Sequence, residues 1–335
     1  MPDGKSAKKP ASNAATASAG SRAGSAPATA AVAAKGKQAP AKTKPSDGAA
    51  MRQRLDVRKT YKLFIGGAFP RSESGRSYPV YGHGGELLAH AARASRKDVR
   101  EAVVAARRAF GGWSSATAYN RGQVLYRVAE MLEGRTEQFA TIVADAEGLA
   151  NGRPESTVAA AIDRWVWYAG WSDKVAQVAG AANPVAGPYF NFSVPEPTGV
   201  VVVIAPAESS LLGLVSVLAP VIVTGNTAVV LASEDRPLPS IALAEVLATS
   251  DIPPGVVNVL TGRGAELSGV AASHMDVNAI DLTGVAHADR PALERSAADN
   301  VKRVFYDDED WVAQPGTRRL LAFLEVKTVW HPAGI

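Results

Sequence analysis

Gly199-Val200-Val201-Val202-Val203-Ile204 is a run of six residues with no polar side chain, preceded by Pro197-Thr198 and followed by Ala205-Pro206. A strand open to water on one face alternates polar with apolar residues. A strand with no polar face must be covered on both sides, which is the situation in a parallel sheet. Working outward, Leu211–Val223 reads as an apolar helix and Thr227–Leu231 as a second buried strand. Pro239–Thr249 then reads as a helix, Val256–Leu260 as a third strand, Leu267–Ser273 as a short helix and Ala279–Leu282 as a fourth strand. Strand alternating with helix predicts an α/β fold built on a doubly wound parallel sheet, with any ligand at the carboxyl ends of the strands. The uncharged run Ser209–Ser233 has the length of a membrane span. Pro220 and the turn residues Gly225-Asn226-Thr227 divide it, so two buried elements joined by a turn are expected, and no membrane span.

Upstream, Lys62–Ala68 predicts a strand ending in a Gly66-Gly67 turn, with Ser77–Tyr81 as its partner. Ser95 with Asp98 three residues on is a helix-start pattern. The apolar positions Val99, Ala102, Val103, Ala106 and Phe110 follow at helical spacing, and Gly111-Gly112 is the expected end. Further helices are expected over about Asn120–Glu133, Glu137–Glu147 and Val158–Val178. The last carries Trp165, Trp167, Tyr168 and Trp171, read as core and interface anchors. Tyr189–Val194 alternates like an exposed strand.

Charge is divided unevenly. Residues 1–59 hold twelve Lys/Arg against three Asp, a net +9, whereas residues 60–335 hold 24 Lys/Arg against 29 Asp/Glu, a net −5. Residues 1–50 contain 17 Ala and no aromatic, Leu or Ile, too little apolar surface to offset chain entropy, so a disordered basic tail is expected over 1–58. Its Ala-rich run is interrupted by Lys35, Lys37 and Pro40, unlike the apolar stretch of a signal peptide, and a cytoplasmic protein is expected. Such a tail serves as a solvated tether or makes weak polyanion contact through residues 1–59. The acidic segment Asp307–Trp311 reads as a solvated loop. Five histidines (His83, His90, His274, His287, His331) are scattered with no helical ligand spacing, and no metal site is expected. Among 335 residues there is no cysteine, hence no disulfide and no thiolate.

Several motifs, in order, are similar to those of the aldehyde dehydrogenase family. They are Leu63–Gly67, the Asp98–Phe110 helix, Tyr168-Ala169-Gly170-Trp171, Glu196-Pro197-Thr198-Gly199-Val200-Val201 and Leu218-Ala219-Pro220 with Gly225-Asn226-Thr227. Pro253-Pro254-Gly255-Val256-Val257-Asn258-Val259, Ser273-His274-Met275-Asp276-Val277, Leu282-Thr283-Gly284 and Phe323–Val329 continue the series. The resemblance implies a Rossmann-like domain that binds NAD or NADP and a small antiparallel oligomerisation arm. It also implies a second domain, inserted before the last strand, that carries a nucleophilic cysteine and a general-base glutamate. About forty residues, Val285–Leu324, stand where roughly two hundred would be expected for that domain.

Tested position by position, the chemistry the resemblance implies is missing. Without cysteine there is no thiolate to form a thiohemiacetal, and a serine substitute would need an activating base. The loop that in the family ends in an oxyanion-binding Asn reads Pro206-Ala207-Glu208, and a carboxylate at Glu208 opposes negative charge. The ribose-binding Lys position holds Leu231, while the neighbouring Glu is kept as Glu234. Losing that donor removes about 1.5–3 kcal/mol of binding. The phosphate-side turn reads Thr283-Gly284-Val285-Ala286-His287-Ala288-Asp289, with Asp289 close to where phosphates would lie. Gly262 and Gly264 match the loop after the third strand. The candidate cofactor-binding residues are therefore Glu234, Gly262, Gly264, Thr283 and Gly284, a remnant set for NAD or NADP, and no catalytic residue is assigned. The expected organisation is a tail over 1–58, a dinucleotide-binding-type domain over 59–284, a short remnant over 285–320 and an oligomerisation strand over 321–335. The expected function is that of a catalytically inactive family member acting as a structural or regulatory partner of an active one, in a homo- or hetero-oligomer with an aldehyde dehydrogenase family member. The alternative is an NAD(P)-binding oxidoreductase acting on an unknown aldehyde.

Overall fold

The computed structural model describes residues 57–308 and 310–333, and the disordered-tail expectation therefore lies outside the described residues except for Val57 and Arg58. The order is β1 (Thr60–Tyr61), β2 (Ser77–Tyr81), β3 (Leu87–Ala92), α1 (Arg96–Ser115), α2 (Ala118–Glu133), α3 (Thr136–Glu147), α4 (Arg153–Ala169) and α5 (Val175–Ala179). There follow β4 (Ala181–Asn183), β5 (Tyr189–Pro197), β6 (Val200–Ile204), α6 (Leu212–Val223), β7 (Thr227–Leu231), α7 (Leu238–Leu247), β8 (Val257–Leu260) and α8 (Gly264–Ser273). The last elements are β9 (Ala279–Asp281), α9 (Arg290–Ala298), β10 (Arg303–Phe305), α10 (Arg318–Ala322) and β11 (Leu324–Pro332).

Strands β10-β9-β6-β7-β8 form one parallel sheet, the doubly wound arrangement. The reason for its unbroken apolar strands is visible in the packing. Val201, Val203, Ala228, Val230, Val257 and Val259 join one buried cluster, with α6, α4 and the aromatics Trp165 and Tyr168. Their neighbours Val200, Val202, Ile204, Val229, Leu231 and Leu260 join another, with α1 and α8. Successive residues thus enter opposite cores, and each fully buried Val, Leu or Ile contributes about 1.5–3 kcal/mol. Every residue of α6 is buried, which explains why it has no polar stripe.

A second, antiparallel sheet has the order β11-β5-β4, with nine paired positions from Leu324↔Pro197 to Pro332↔Tyr189. This is the small arm. Asn226 ties the two sheets together: its side chain accepts from Gly199 N at 2.8 Å and donates to the carbonyl of Phe323, next to β11, at 2.9 Å.

Four expectations need correction. Ser77–Tyr81 pairs with Leu87–Ala92, not with Lys62–Ala68. Phe64 instead bridges Val259 of β8, while Ile65 and Ala68 close a turn whose Gly66 and Gly67 have φ of 60° and 81°. Helix α1 runs through Gly111-Gly112 to Ser115, held by the buried Trp113, whose indole donates to Ile222 O at 2.8 Å. The fourth helix ends at Ala169 and resumes as the short α5. Finally, the sheet continues past residue 284: α9 and β10 lie within residues 285–320, and β10 is the sheet's fifth strand.

Candidate functional site

The chain leaves β6 toward β7 and β8 on one side, then returns to place β9 on the other. The crevice at the carboxyl ends of β6 and β9 is the switch point where such sheets receive ligands. Here the protein itself occupies the part next to α10, while the part next to Ile204 and Gly284 stays open. Asp281, fully buried at the end of β9, is paired with the buried Arg319 of α10. Thr283 donates its hydroxyl to Asp281 Oδ1 at 2.5 Å and accepts from Arg319 at 3.3 Å. The Asp307 N–H also reaches Thr283 Oγ1 at 3.4 Å. Phe305 stacks beneath Arg319, its ring centre 4.8 Å from the guanidinium carbon. A buried carboxylate needs such a set of donors, because an unpaired one would pay a large desolvation cost.

The segment leading to α10 closes the same end of the sheet. Trp311 is buried, and its indole donates to Glu208 Oε1 at 3.0 Å. Arg164 of α4 donates to the carbonyls of Trp311 and Ala313, both at 2.9 Å. Arg290 pairs with Asp308 at 3.3 Å and Arg318 with Asp307 at 2.7 Å. The acidic segment is therefore docked at these residues instead of being a wholly solvated loop. Glu208 is exposed, and Arg236 fixes its loop by donating to Ala207 O and Glu208 O, both at 3.1 Å.

The five candidate residues divide. Thr283 belongs to the buried network just described. Gly284 lies against the end of β6, its N–H donating to Ile204 O at 3.1 Å. Glu234 accepts from Gly264 N at 3.0 Å, so its carboxylate sits on the first turn of α8. Beside it the Tyr78 hydroxyl is held protonated, its pKa raised by burial and then by Glu234 and Asp235. Gly262, with φ 152°, lets the chain pass close to Ala94, where a Cβ would lie 3.1 Å from the Ala94 nitrogen. Gly264 and Gly284 meet across a cleft of about 340 Å³ between α8 and α9, also lined by Ser268, Val285, Asp289 and Leu293. Leu231 is buried in the core. Among the described residues no group of three or more His, Asp or Glu side chains could hold a metal, and no helix is long and apolar enough to cross a membrane.

Sequence reasoning passed over Asp281, Trp311 and Arg319. The signal for Asp281 was present: a carboxylate inside an otherwise apolar strand requires a cation. The cation lies 38 positions away, and nothing local identifies it.

Comparison with known proteins agrees with this architecture. The aldehyde dehydrogenase family model matches residues 70–307. The mitochondrial aldehyde dehydrogenase family 2 member B4 of Arabidopsis thaliana is 34% identical over 251 residues, 72% of this chain and 45% of the relative. Retinal dehydrogenase 2 of Homo sapiens is 34% identical over 259 residues, 75% of this chain and 48% of the relative. The crystal structure of HpcC from Thermus thermophilus superposes with a TM-score of 0.70 at 31% identity, covering 74% of this chain and 48% of that one. An aldehyde dehydrogenase from Bacillus cereus, solved as its NAD+ complex, gives 0.69 at 28% identity, covering 74% of this chain and 50% of that one. A doubly wound α/β body with an antiparallel arm thus defines the class. The chain belongs to the aldehyde dehydrogenase family, and it spans about half the length of the curated relatives it matches.

Proposed function

We propose that this chain is a catalytically inactive member of its family that acts as a structural or regulatory subunit beside an active aldehyde dehydrogenase. The observation that carries this reading is the engagement of the half-buried Thr283 hydroxyl by the buried Asp281–Arg319 pair, which commits a ligand-facing position to an internal network. The chain has no cysteine to act as nucleophile. The residues present do not fit a dinucleotide: Glu234 is engaged by α8, Asp289 lines the cleft beside Gly284, and Leu231 is buried where a ribose donor is expected.

The arm supports the partner role. Tyr189, Val326 and Trp330 share one face of the β11–β5 pair and are 47%, 66% and 59% exposed. Apolar side chains so placed suit burial against another subunit. Purified full-length chain, measured by light scattering and used to capture proteins from its native cell extract, is expected to form an oligomer that includes an aldehyde dehydrogenase. A strictly monomeric chain that captures no dehydrogenase contradicts the reading.

The α8–α9 cleft favours a second reading, an NAD(P)-binding family member acting on an unknown aldehyde. Its size falls within the range of small-molecule sites. Micromolar dinucleotide affinity would select it.

A further inference from the structure

A cleft of about 260 Å³ lies between β1, the turn after Arg71 and the start of β2, and shares no lining residue with the crevice or the α8–α9 cleft. Lys62, Arg71 and Arg76 line it, together with the hydroxyl-bearing Thr60 and Ser77. None of the three cations makes an ion pair or side-chain hydrogen bond with another described residue.

Their shared location is fixed by the fold. Gly75, with φ 66°, donates to Ser72 O at 2.8 Å, closing a turn that sets Arg71 and Arg76 on its two flanks. The buried Asp98 anchors that turn: it accepts from Ser72 Oγ at 2.8 Å, Glu73 N at 3.0 Å and Ser95 N at 2.6 Å. The neighbouring carboxylates are thus committed, Asp98 to the turn and Glu73 to Lys97 at 2.5 Å. Three cationic side chains that line one cleft with no ion-pair partner among the described residues repel one another, and an anion relieves that repulsion. Two guanidinium groups beside an ammonium match phosphate oxygens, which accept bidentate hydrogen bonds.

We infer that this cleft binds backbone phosphates of a nucleic acid. A polymer, and not a lone phosphate, is favoured because the sequence immediately before the cleft is strongly cationic, with residues 1–59 carrying a net +9. The body as a whole, at −5 over residues 60–335, provides no general attraction.

The test uses the full chain and fluorescence anisotropy with single- and double-stranded oligonucleotides across a salt series. The combined Lys62→Gln, Arg71→Gln and Arg76→Gln variant is compared with a charge-matched control, Arg108→Gln, Arg153→Gln and Arg295→Gln, on α1, α4 and α9. All six side chains are exposed, so melting temperatures should stay within about a degree or two. The cleft variant is expected to bind about tenfold or more weakly than the control and to lower the log–log salt slope for duplex by about 2–3, at about 0.9 per phosphate contact. Equal affinity and slope for the two variants would overturn the inference. So would saturation of the cleft by inorganic phosphate at micromolar concentration with oligonucleotide binding unaffected by the cleft substitutions. Polyglutamate that binds as tightly as the oligonucleotide, with the same sensitivity, would show an acidic polypeptide site and overturn it too.

Discussion

Arg319→Ala is expected to destabilise the fold by about 3–5 kcal/mol, a large share of a domain's whole stability. The guanidinium is 1% exposed and lies against an Asp281 that is fully buried. Removing it leaves a buried carboxylate with, among the described residues, the Thr283 hydroxyl and N–H to solvate it. It also leaves a void beside the Phe305 ring. Guanidinium denaturation should show a lower midpoint with little change in slope. Replacing both partners by apolar residues of similar size, as in Asp281→Leu with Arg319→Met, should recover most of the loss, because the penalty arises from the stranded charge. A loss below about 1 kcal/mol for Arg319→Ala would mean that the pair is hydrated and the crevice open.

Gly284→Ala should be nearly as costly for a steric reason. A Cβ there would penetrate the Ala205 carbonyl and lie 2.6 Å from Ile204 O. Both obstacles are backbone atoms of the sheet's central strand and its exit, so no rotamer change relieves them. Overpacking against side chains typically costs about 1–3 kcal/mol, and a backbone clash belongs at or above the upper end. Gly264→Ala is the internal comparison, because a Cβ at Gly264 meets nothing within 4 Å. It should change the melting temperature little. If the two substitutions melt alike, the tight apposition of Gly284 to β6 is not present in solution.

The contrast between these glycines shows what could be read from sequence. Both matched family turns, yet only packing separates a glycine required by a backbone contact from one facing open space. The apolar strands β6, β7, β8 and β9 were legible nearly to the residue, because double-sided burial leaves a continuous apolar run. Strand β3 was not legible: Leu87-Leu88-Ala89-His90-Ala91-Ala92 lacks β-branched residues, and pairing with β2 decides its conformation. Strand β10 was hidden in a polar context, with Arg303-Val304-Phe305 only half-buried at the sheet's edge. The acidic segment reads as solvent-facing because its charges are local, whereas the groups that hold it, Arg164, Arg290 and Arg318, are supplied by other elements. The missing cysteine was plain from composition. That α10 and Trp311 pack over part of the crevice needed the three-dimensional arrangement.

Calorimetric titration of the full chain with NAD and with NADP tests most directly whether that crevice has changed from a ligand site to internal structure. With the Thr283 hydroxyl engaged by Asp281 and Arg319, Asp289 at the cleft and Leu231 in the core, no saturable binding below about 1 mM is expected for either, a standard free energy weaker than about −4 kcal/mol. Saturable heat with a micromolar dissociation constant would contradict the account.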